Sequence, residues 1–171
     1  LRAMGVEKGD RVALAMRNLP EWPVAFFAIT ALGAICVPLN AWWTGPELQY
    51  GLANSGAKVL ICDAERLERI APLRADLPGL EHVLVARATG ATPAAQRLED
   101  LIGEPADWAK LPDADLPDAE IAPDDPATIL YTSGTTGNPK GAVLSNNNLF
   151  KLRKAALGMD IPYQTMTDDE A

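Results

Sequence analysis

The chain alternates between short, strongly apolar runs and longer segments of mixed polarity. The apolar runs predict strands at residues 10–15, 34–39, 58–62, 82–85, 128–132 and 141–144. The segments between them predict helices at residues 20–32, 44–54, 64–73, 96–102 and 146–157. Apolar strands that alternate with helices indicate an α/β fold, in which a mainly parallel sheet is flanked by helices on both faces. At 171 residues the chain suits one domain.

Local signals support several of these boundaries. Thr44 and Glu47 have the spacing of a capping box at the start of the second helix, and the pair 55–56 (Ser-Gly) is typical of its end. The pair 78–79 (Pro-Gly) predicts a turn. Ser145 is predicted to cap the last helix.

The net charge of −8 is concentrated in one segment. Residues 99–125 hold ten acidic side chains and one lysine, so the rest of the chain is nearly neutral. Residues 103–126 also carry five prolines, which predicts a solvated, partly extended acidic connector. The chain lacks the basic stripe of a nucleic-acid-binding protein. Its apolar runs all fall short of the roughly 18 residues that a transmembrane helix requires.

Cysteine, histidine and tryptophan add little catalytic chemistry. Cys36 and Cys62 lie in apolar runs, which favours buried reduced thiols over a disulfide or a nucleophile. His82 is the only histidine and no C-x-x-C pair occurs, so a zinc site and a Ser-His-Asp triad are both disfavoured. The adjacent Trp42 and Trp43 are predicted to pack, with a surface or partner contact as the alternative.

The segment with the clearest chemistry is the loop between the last two predicted strands, residues 131–141. Its sequence is Tyr-Thr-Ser-Gly-Thr-Thr-Gly-Asn-Pro-Lys-Gly. The glycines permit backbone angles that turn amide groups toward an anion. Four hydroxyl groups add donors, and Lys140 adds a positive charge. A loop of this composition is suited to wrapping a polyphosphate.

The spacing within this loop excludes the common phosphate loop of nucleoside triphosphatases. That motif places lysine directly after its second glycine and opens a helix at that point. Here Lys140 follows Gly137 by three residues, and a strand comes next. An isolated cluster of Gly, Ser and Thr would favour an ordinary hydrophilic turn, but the full string favours phosphate binding.

The string Y-T-S-G-T-T-G-x-P-K-G, matched at every fixed position from Tyr131 to Gly141, resembles the signature of the adenylate-forming enzymes. This family includes acyl-CoA synthetases, luciferases and the adenylation domains of peptide synthetases. Segments 5–14, 18–22, 33–40, 44–48 and 55–61 resemble the same family, and residues 38–40 are most like fatty-acyl-CoA and related acyl-CoA synthetases. The resemblance implies that residues 1–171 form part of the large N-terminal domain of such an enzyme, an N-terminal fragment without the C-terminal domain.

The resemblance also implies a two-step ligase reaction that forms a carbon–sulfur bond. A carboxylate, such as that of a long-chain fatty acid, attacks the α-phosphate of ATP to give an acyl-adenylate and pyrophosphate. Coenzyme A then displaces AMP to give a thioester. The residues that the resemblance assigns to the ATP phosphates are Thr132, Ser133, Gly134, Thr135, Thr136, Gly137 and Lys140. Thr132 is also assigned to Mg²⁺, with a strand-end residue bonded to the backbone as its alternative.

Further expectations follow from the same resemblance. The partners would be a fatty acid or related carboxylic acid, ATP and CoA, in cytoplasmic lipid metabolism, with peripheral membrane association left open. The family's adenine-binding and ribose-binding residues and its adenylation lysine would lie beyond Ala171, so the chain alone is expected to be inactive. A truncated sheet would expose apolar surface, which predicts self-association. The alternatives are a peptide-synthetase adenylation domain and a non-catalytic nucleotide-binding module.

One pair of residues departs from the family pattern. Many relatives place His-Arg-Asn after the second strand, whereas this chain has Asn146 and Asn147 at the His and Arg positions. Asparagine suits the first turn of a helix, so folding need not suffer. Neither asparagine can supply the positive charge that arginine or a protonated histidine brings to these positions.

Overall fold

Seven strands form a single sheet in the computed structural model, which describes residues 1–92, 95–132 and 137–157. The strands are β1 (Arg11–Ala15), β2 (Ile35–Pro38), β3 (Val59–Asp63), β4 (His82–Ala86), β5 (Gln96–Arg97), β6 (Pro126–Thr132) and β7 (Lys140–Ser145). Their order across the sheet is β5-β4-β3-β1-β2-β6-β7. All neighbouring strands run parallel except β6 and β7, which form an antiparallel hairpin.

Helices cover both faces of this sheet. They are α1 (Glu21–Thr30), α2 (Gly45–Ser55), α3 (Ala64–Ile70), α4 (Glu99–Ile102) and α5 (Asn146–Leu157). Short 3₁₀ helices lie at Arg2–Met4, Ala71–Asp76 and Pro105–Lys110. The predicted α/β fold, a mainly parallel sheet flanked by helices, is therefore confirmed. No helix within the described ranges is long and apolar enough to cross a membrane.

The hydrophobic core has two parts because successive side chains of a strand point to opposite faces. On one face, Ala13 and Ala15 of β1 pack with Leu48 and Leu52 of α2 and Ile70 of α3. On the other face, β1 contributes Val12 and Leu14, which pack against Ala25 and Ile29 of α1. The core residues on both faces of the sheet are almost fully buried.

The two cysteines lie one in each part of this core. Both Cys36 and Cys62 are buried and free, as predicted. Burial raises the pKa of the Cys36 thiol to about 12, and it also raises the pKa of Cys62. Both thiols therefore stay protonated at neutral pH, which makes them core side chains and poor nucleophiles.

The predicted caps are confirmed. The backbone N–H of Thr44 donates to the Glu47 carboxylate at 2.7 Å, and Gly56 ends α2 with a φ of 63°. At the start of α5, the backbone N–H of Asn148 donates to the Ser145 hydroxyl at 3.2 Å. The Asn148 side chain accepts from the Ser145 N–H at 3.0 Å, which completes a reciprocal cap.

The helix predicted at residues 96–102 is wrong in its first part. Gln96 and Arg97 instead pair with Leu84 and Val85 of β4 as a short parallel strand. Helix α4 begins only at Glu99. Hydrogen bonding to a neighbouring strand outweighs helix propensity here, an effect that a local pattern does not contain.

Candidate functional site

The β6–β7 hairpin lies beside an open cavity of about 760 Å³ at the carboxyl ends of the parallel strands. Its lining comes from the segments that follow β1 and β2 and from the end of β6. These residues are Met16, Arg17, Asn18, Trp22, Pro38, Leu39, Asn40, Ala41, Trp42, Leu130, Tyr131 and Thr132. Open parallel sheets bind ligands outside the carboxyl ends of their strands, so the cavity is the candidate ligand site of the described chain.

A buried arginine joins three of the segments at this edge. Arg66 is 1% exposed, and its guanidinium donates to the Asp63 carboxylate at 2.9 Å and to the Ala41 carbonyl at 2.7 Å. Asp63 in turn accepts from the backbone N–H of Arg17 at 3.0 Å. The ends of β1, β2 and β3 are thus held in fixed relative positions. The sequence analysis did not single out Arg66, whose only local signal is its position three residues after Asp63.

The two adjacent tryptophans have different environments. Trp42 is 68% exposed and lies in the cavity wall, where the Arg17 guanidinium stands 3.9 Å from its ring centroid. Trp43 packs against the core and meets the Tyr131 ring edge-on at 5.7 Å. The packing prediction thus holds for Trp43, whereas Trp42 is a surface residue of the cavity.

Helix α2 contacts the loop of residues 131–141 near both of its ends. The Tyr131 hydroxyl donates to the Asn54 side-chain oxygen at 2.7 Å, and the Tyr50 hydroxyl donates to the Pro139 carbonyl at 3.2 Å. Burial raises the pKa of Tyr131, so its hydroxyl remains a donor at neutral pH. These contacts tie the start and the end of the loop to one rigid helix.

Three of the predicted phosphate-binding residues are described by the structure. Thr132 ends β6 directly opposite Lys140 of β7, and both are exposed. Gly137 has a φ of 109°, a conformation that favours glycine. Ser133, Gly134, Thr135 and Thr136 lie outside the described residues. The assignment of all seven residues to ATP phosphates stays a prediction.

The assignment of Thr132 to Mg²⁺ also stays a prediction. The Thr132 hydroxyl lies 3.5 Å from the Lys140 carbonyl. This is the backbone contact predicted as the alternative to metal binding, but at that distance it is at most a weak hydrogen bond. In the described parts of the chain, no group of three or more His, Cys, Asp or Glu side chains could hold a metal. Mg²⁺ commonly takes few protein ligands and completes its shell with substrate phosphates and water, so a single exposed hydroxyl is compatible with it.

The two asparagines at the departure from the family pattern attach α5 to the acidic connector. The Asn146 side-chain amide donates to the Ala122 and Asp125 carbonyls, each at 3.3 Å. The backbone N–H of Asn147 donates to the Pro123 carbonyl at 2.8 Å. The Asn146 side chain therefore anchors the connector, whereas the Asn147 contact uses only the backbone and does not depend on asparagine.

Replacing Gly141 with alanine is expected to destabilise the hairpin. A Cβ atom there would lie 2.7 Å from Cγ2 of Ile129 and 3.4 Å from Cζ of Tyr131. Overpacking of this kind costs about 1–3 kcal/mol in the free energy of unfolding. Urea denaturation measures the change, and Gly79→Ala is the matched control because a Cβ at Gly79 meets nothing within 4 Å. Equal midpoints for the two variants would contradict the expectation.

Sequence comparison identifies relatives of the chain. The family model described as AMP-binding enzyme matches residues 1–170. The long-chain-fatty-acid–CoA ligase FadD13 of Mycobacterium tuberculosis is 37% identical over 167 residues, which cover 96% of this chain and 30% of that protein. The chain thus spans about 30% of the length of this curated relative.

Solved structures show the same fold. The anthranilate CoA ligase AuaEII, solved in complex with anthranoyl-AMP, aligns with a TM-score of 0.79 at 32% identity, covering 94% of this chain and 29% of that one. The N-terminal domain of FACL13 from Mycobacterium tuberculosis aligns with a TM-score of 0.72 at 34% identity, covering 95% of this chain and 38% of that domain. The predicted likeness to the N-terminal domain of such an enzyme is confirmed.

Proposed function

Since this chain belongs to the family of AMP-binding enzymes, we propose that it carries the ATP phosphate-binding part of an acid–CoA ligase. The observation that carries the proposal is the hairpin loop of residues 131–141, which α2 braces beside the cavity at the carboxyl edge of the sheet. The proposed substrates are ATP, coenzyme A and a carboxylic acid. We propose a long-chain fatty acid as that acid, by similarity to FadD13.

The first proposed step joins two anions, so charge neutralisation is its main requirement. A carboxylate oxygen bonds to the α-phosphorus of ATP, the bond from that phosphorus to the bridging oxygen breaks, and pyrophosphate leaves. Lys140 and the hydroxyls of the loop stabilise the charge on the leaving phosphates. Mg²⁺ would neutralise further phosphate charge, with Thr132 as its described ligand. Because no proton needs to move, positioning by the braced hairpin is the main contribution of this chain.

In the second proposed step the thiolate of coenzyme A attacks the acyl carbon of the adenylate. A carbon–sulfur bond forms, and AMP leaves with the electron pair of the broken carbon–oxygen bond. The described residues contribute the cavity to this step. Its wall contains Trp22, Leu39 and Leu130, apolar side chains compatible with an acyl chain. An aromatic acid is the second candidate substrate, favoured by the fold shared with the anthranilate CoA ligase.

A side-by-side assay tests this proposal. The 171-residue chain and any longer natural polypeptide that contains it are incubated with MgATP, CoA and, in turn, palmitic, anthranilic or amino acids. We expect AMP release and palmitoyl-CoA formation by the longer polypeptide, and none by the 171-residue chain alone. Preference for anthranilic acid would reassign the substrate. ATP–pyrophosphate exchange with amino acids alone would favour a peptide-synthetase domain, and no use of ATP in any mixture would favour a non-catalytic module.

A further inference from the structure

A bidentate ion pair holds the start of α1 at the carboxyl edge of the sheet. Arg87 directly follows β4, and its Nε and Nη2 atoms donate to the two carboxylate oxygens of Glu21 at 2.8 Å and 3.2 Å. Glu21 is the first residue of α1 and is 1% exposed. A carboxylate buried this deeply requires a partner, and two parallel hydrogen bonds fix its orientation as well as its charge. Arg87 therefore fixes the first turn of α1 relative to β4.

The backbone of Arg87 is held in an unusual conformation. Within the described residues, it is the one residue other than glycine with a positive φ, which is 56°. Residues with a Cβ atom rarely adopt this left-handed conformation, and they keep it only where the surrounding structure imposes it. Here the buried carboxylate of Glu99 accepts the backbone N–H of Arg87. Contacts to the backbone and to the guanidinium together direct the Arg87 side chain toward Glu21.

The residue that follows Glu21 is Trp22, which lies in the wall of the candidate cavity. Its ring stacks on that of Phe26, with the centroids 5.6 Å apart and the planes 8° apart. Both rings belong to α1, so this contact does not fix the helix relative to the sheet. Trp22 also packs at the margin of the core and is only half-buried. Because Glu21 is the adjacent residue, its ion pair with Arg87 sets where the Trp22 ring enters the cavity wall.

We propose that Arg87 is a positioning residue for the acid substrate and that it acts through Glu21 on Trp22. This inference rests on the proposed ligase function, because it deepens the assignment of the apolar cavity wall to the acyl group. Arg87 does not itself line the cavity. Its ion pair keeps the Trp22 ring in the wall that also contains Leu39 and Leu130. Loosening the start of α1 should therefore weaken binding of the acid more than it slows the chemical step.

Fluorine NMR tests the positioning of Trp22 directly. The 171-residue chain is produced with 5-fluorotryptophan, and Trp22→Phe identifies the resonance of Trp22. We expect Arg87→Met to shift this resonance by more than its linewidth, because the first turn of α1 loses its anchor. Arg97→Met is the matched control and should leave the resonance in place. Arg97 is a similarly exposed arginine near the same edge of the sheet, but its carboxylate partners are Glu99 and Glu104.

Two further variants test the same ion pair if Arg87→Met fails to fold. Arg87→Lys keeps a positive charge beside Glu21 but lacks the planar fork that donates two parallel hydrogen bonds. It should therefore fold and still displace the Trp22 resonance. Glu21→Gln removes the buried charge with little change of shape, and it should displace the same resonance. Circular dichroism during thermal unfolding confirms that each variant folds.

Kinetics of the longer polypeptide of the thioester assay test the link to the acid substrate. We expect Arg87→Met to raise KM for the acid about tenfold, while kcat and KM for ATP change less than about twofold. Trp22→Ala should raise KM for the acid at least as much. The double variant Trp22→Ala, Arg87→Met should match Trp22→Ala alone, because Arg87 acts only through Trp22.

Several outcomes would overturn the proposal. A Trp22 resonance that stays in place in Arg87→Met would show that the ion pair does not position the ring, whatever reaction the polypeptide catalyses. An equal shift in Arg97→Met would show a general effect of charge. Additive effects of Arg87→Met and Trp22→Ala on KM would show that Arg87 acts by another route. A longer polypeptide without ligase activity would overturn the proposed function and with it the role of Arg87 in acid binding, and a displaced Trp22 resonance would distinguish that result from a failure of the positioning.

Discussion

Replacing Arg66 with methionine is expected to lower the free energy of unfolding by about 3–5 kcal/mol, because it leaves a buried carboxylate without its counter-charge. Asp63 is 7% exposed, and it would keep only its backbone donors from Arg66 and Arg17. The Ala41 carbonyl would lose two guanidinium donors at the same time. Chemical denaturation in urea, followed by far-UV circular dichroism, measures the change.

Arg69→Met is the matched control for this substitution. Arg69 lies on the same helix and also donates to the Ala41 carbonyl, but its side chain is 27% exposed and its carboxylate partner, Glu65, is half exposed. An exposed ion pair contributes about 0–1 kcal/mol, so the control should lose much less stability. The double variant Asp63→Asn, Arg66→Met should recover part of the loss, because both charges are then gone. Equal losses for the two single variants would refute the role given to Arg66.

A stable Arg66 variant would also reveal how the cavity is held. Arg66 does not line the cavity, but it fixes Ala41, which does, and it orients Asp63, which holds the backbone of Arg17. Loosening these segments should weaken ligand binding without removing any contact to the ligand. The substitution would therefore act through the position of the binding residues, and a high substrate concentration should partly restore the activity of the longer polypeptide.

The sequence predicts those parts of the fold that depend on neighbouring residues. The strands around β1, the capping box at Thr44 and the reciprocal cap at Ser145 all follow from local spacing, and the structure contains each of them. The short strand at Gln96 was missed because it forms by pairing with Leu84 of β4, twelve residues earlier, and a local pattern does not contain that contact. Arg66 was missed for a related reason. Arginine is rarely buried, and its burial here depends on Ala41, which lies 25 residues away.

The sequence likewise predicts only part of the candidate site. The contiguous loop can be recognised, whereas contacts between residues far apart in the chain cannot. The loop of residues 131–141 stands out in the sequence because its glycines, hydroxyls and lysine are contiguous. The contact between this loop and α2 does not stand out, because Tyr50, whose hydroxyl donates to the Pro139 carbonyl, is 89 residues away from it in the sequence. Likewise, no local pattern separates Trp42 from Trp43. Only the placement of β6 shows that one packs on Tyr131 while the other faces the cavity.

Replacing Lys140 with methionine is expected to weaken MgATP binding about ten- to a hundredfold. This range corresponds to the roughly 1.5–3 kcal/mol that a hydrogen bond to a charged group contributes. The substitution should leave stability unchanged, because Lys140 is exposed and forms no ion pair among the described residues. Isothermal titration calorimetry measures the affinity. The sample is the 171-residue chain or the longer natural polypeptide that contains it, whichever binds MgATP. Lys110→Met is the control, since Lys110 is an exposed lysine of the acidic connector whose partner is Asp107.

Comparing ATP with AMP shows which phosphates Lys140 contacts. If Lys140 binds the β- and γ-phosphates, as proposed, its loss should weaken ATP and leave AMP almost unaffected, because AMP lacks both groups. Lys140→Arg should retain part of the ATP affinity, because the positive charge remains although its shape differs. Equal weakening of ATP and AMP would place Lys140 at the α-phosphate or on the nucleoside. An unchanged ATP affinity would remove Lys140 from the site, and the phosphate-binding role of the hairpin would then have to rest on its amides and hydroxyls alone.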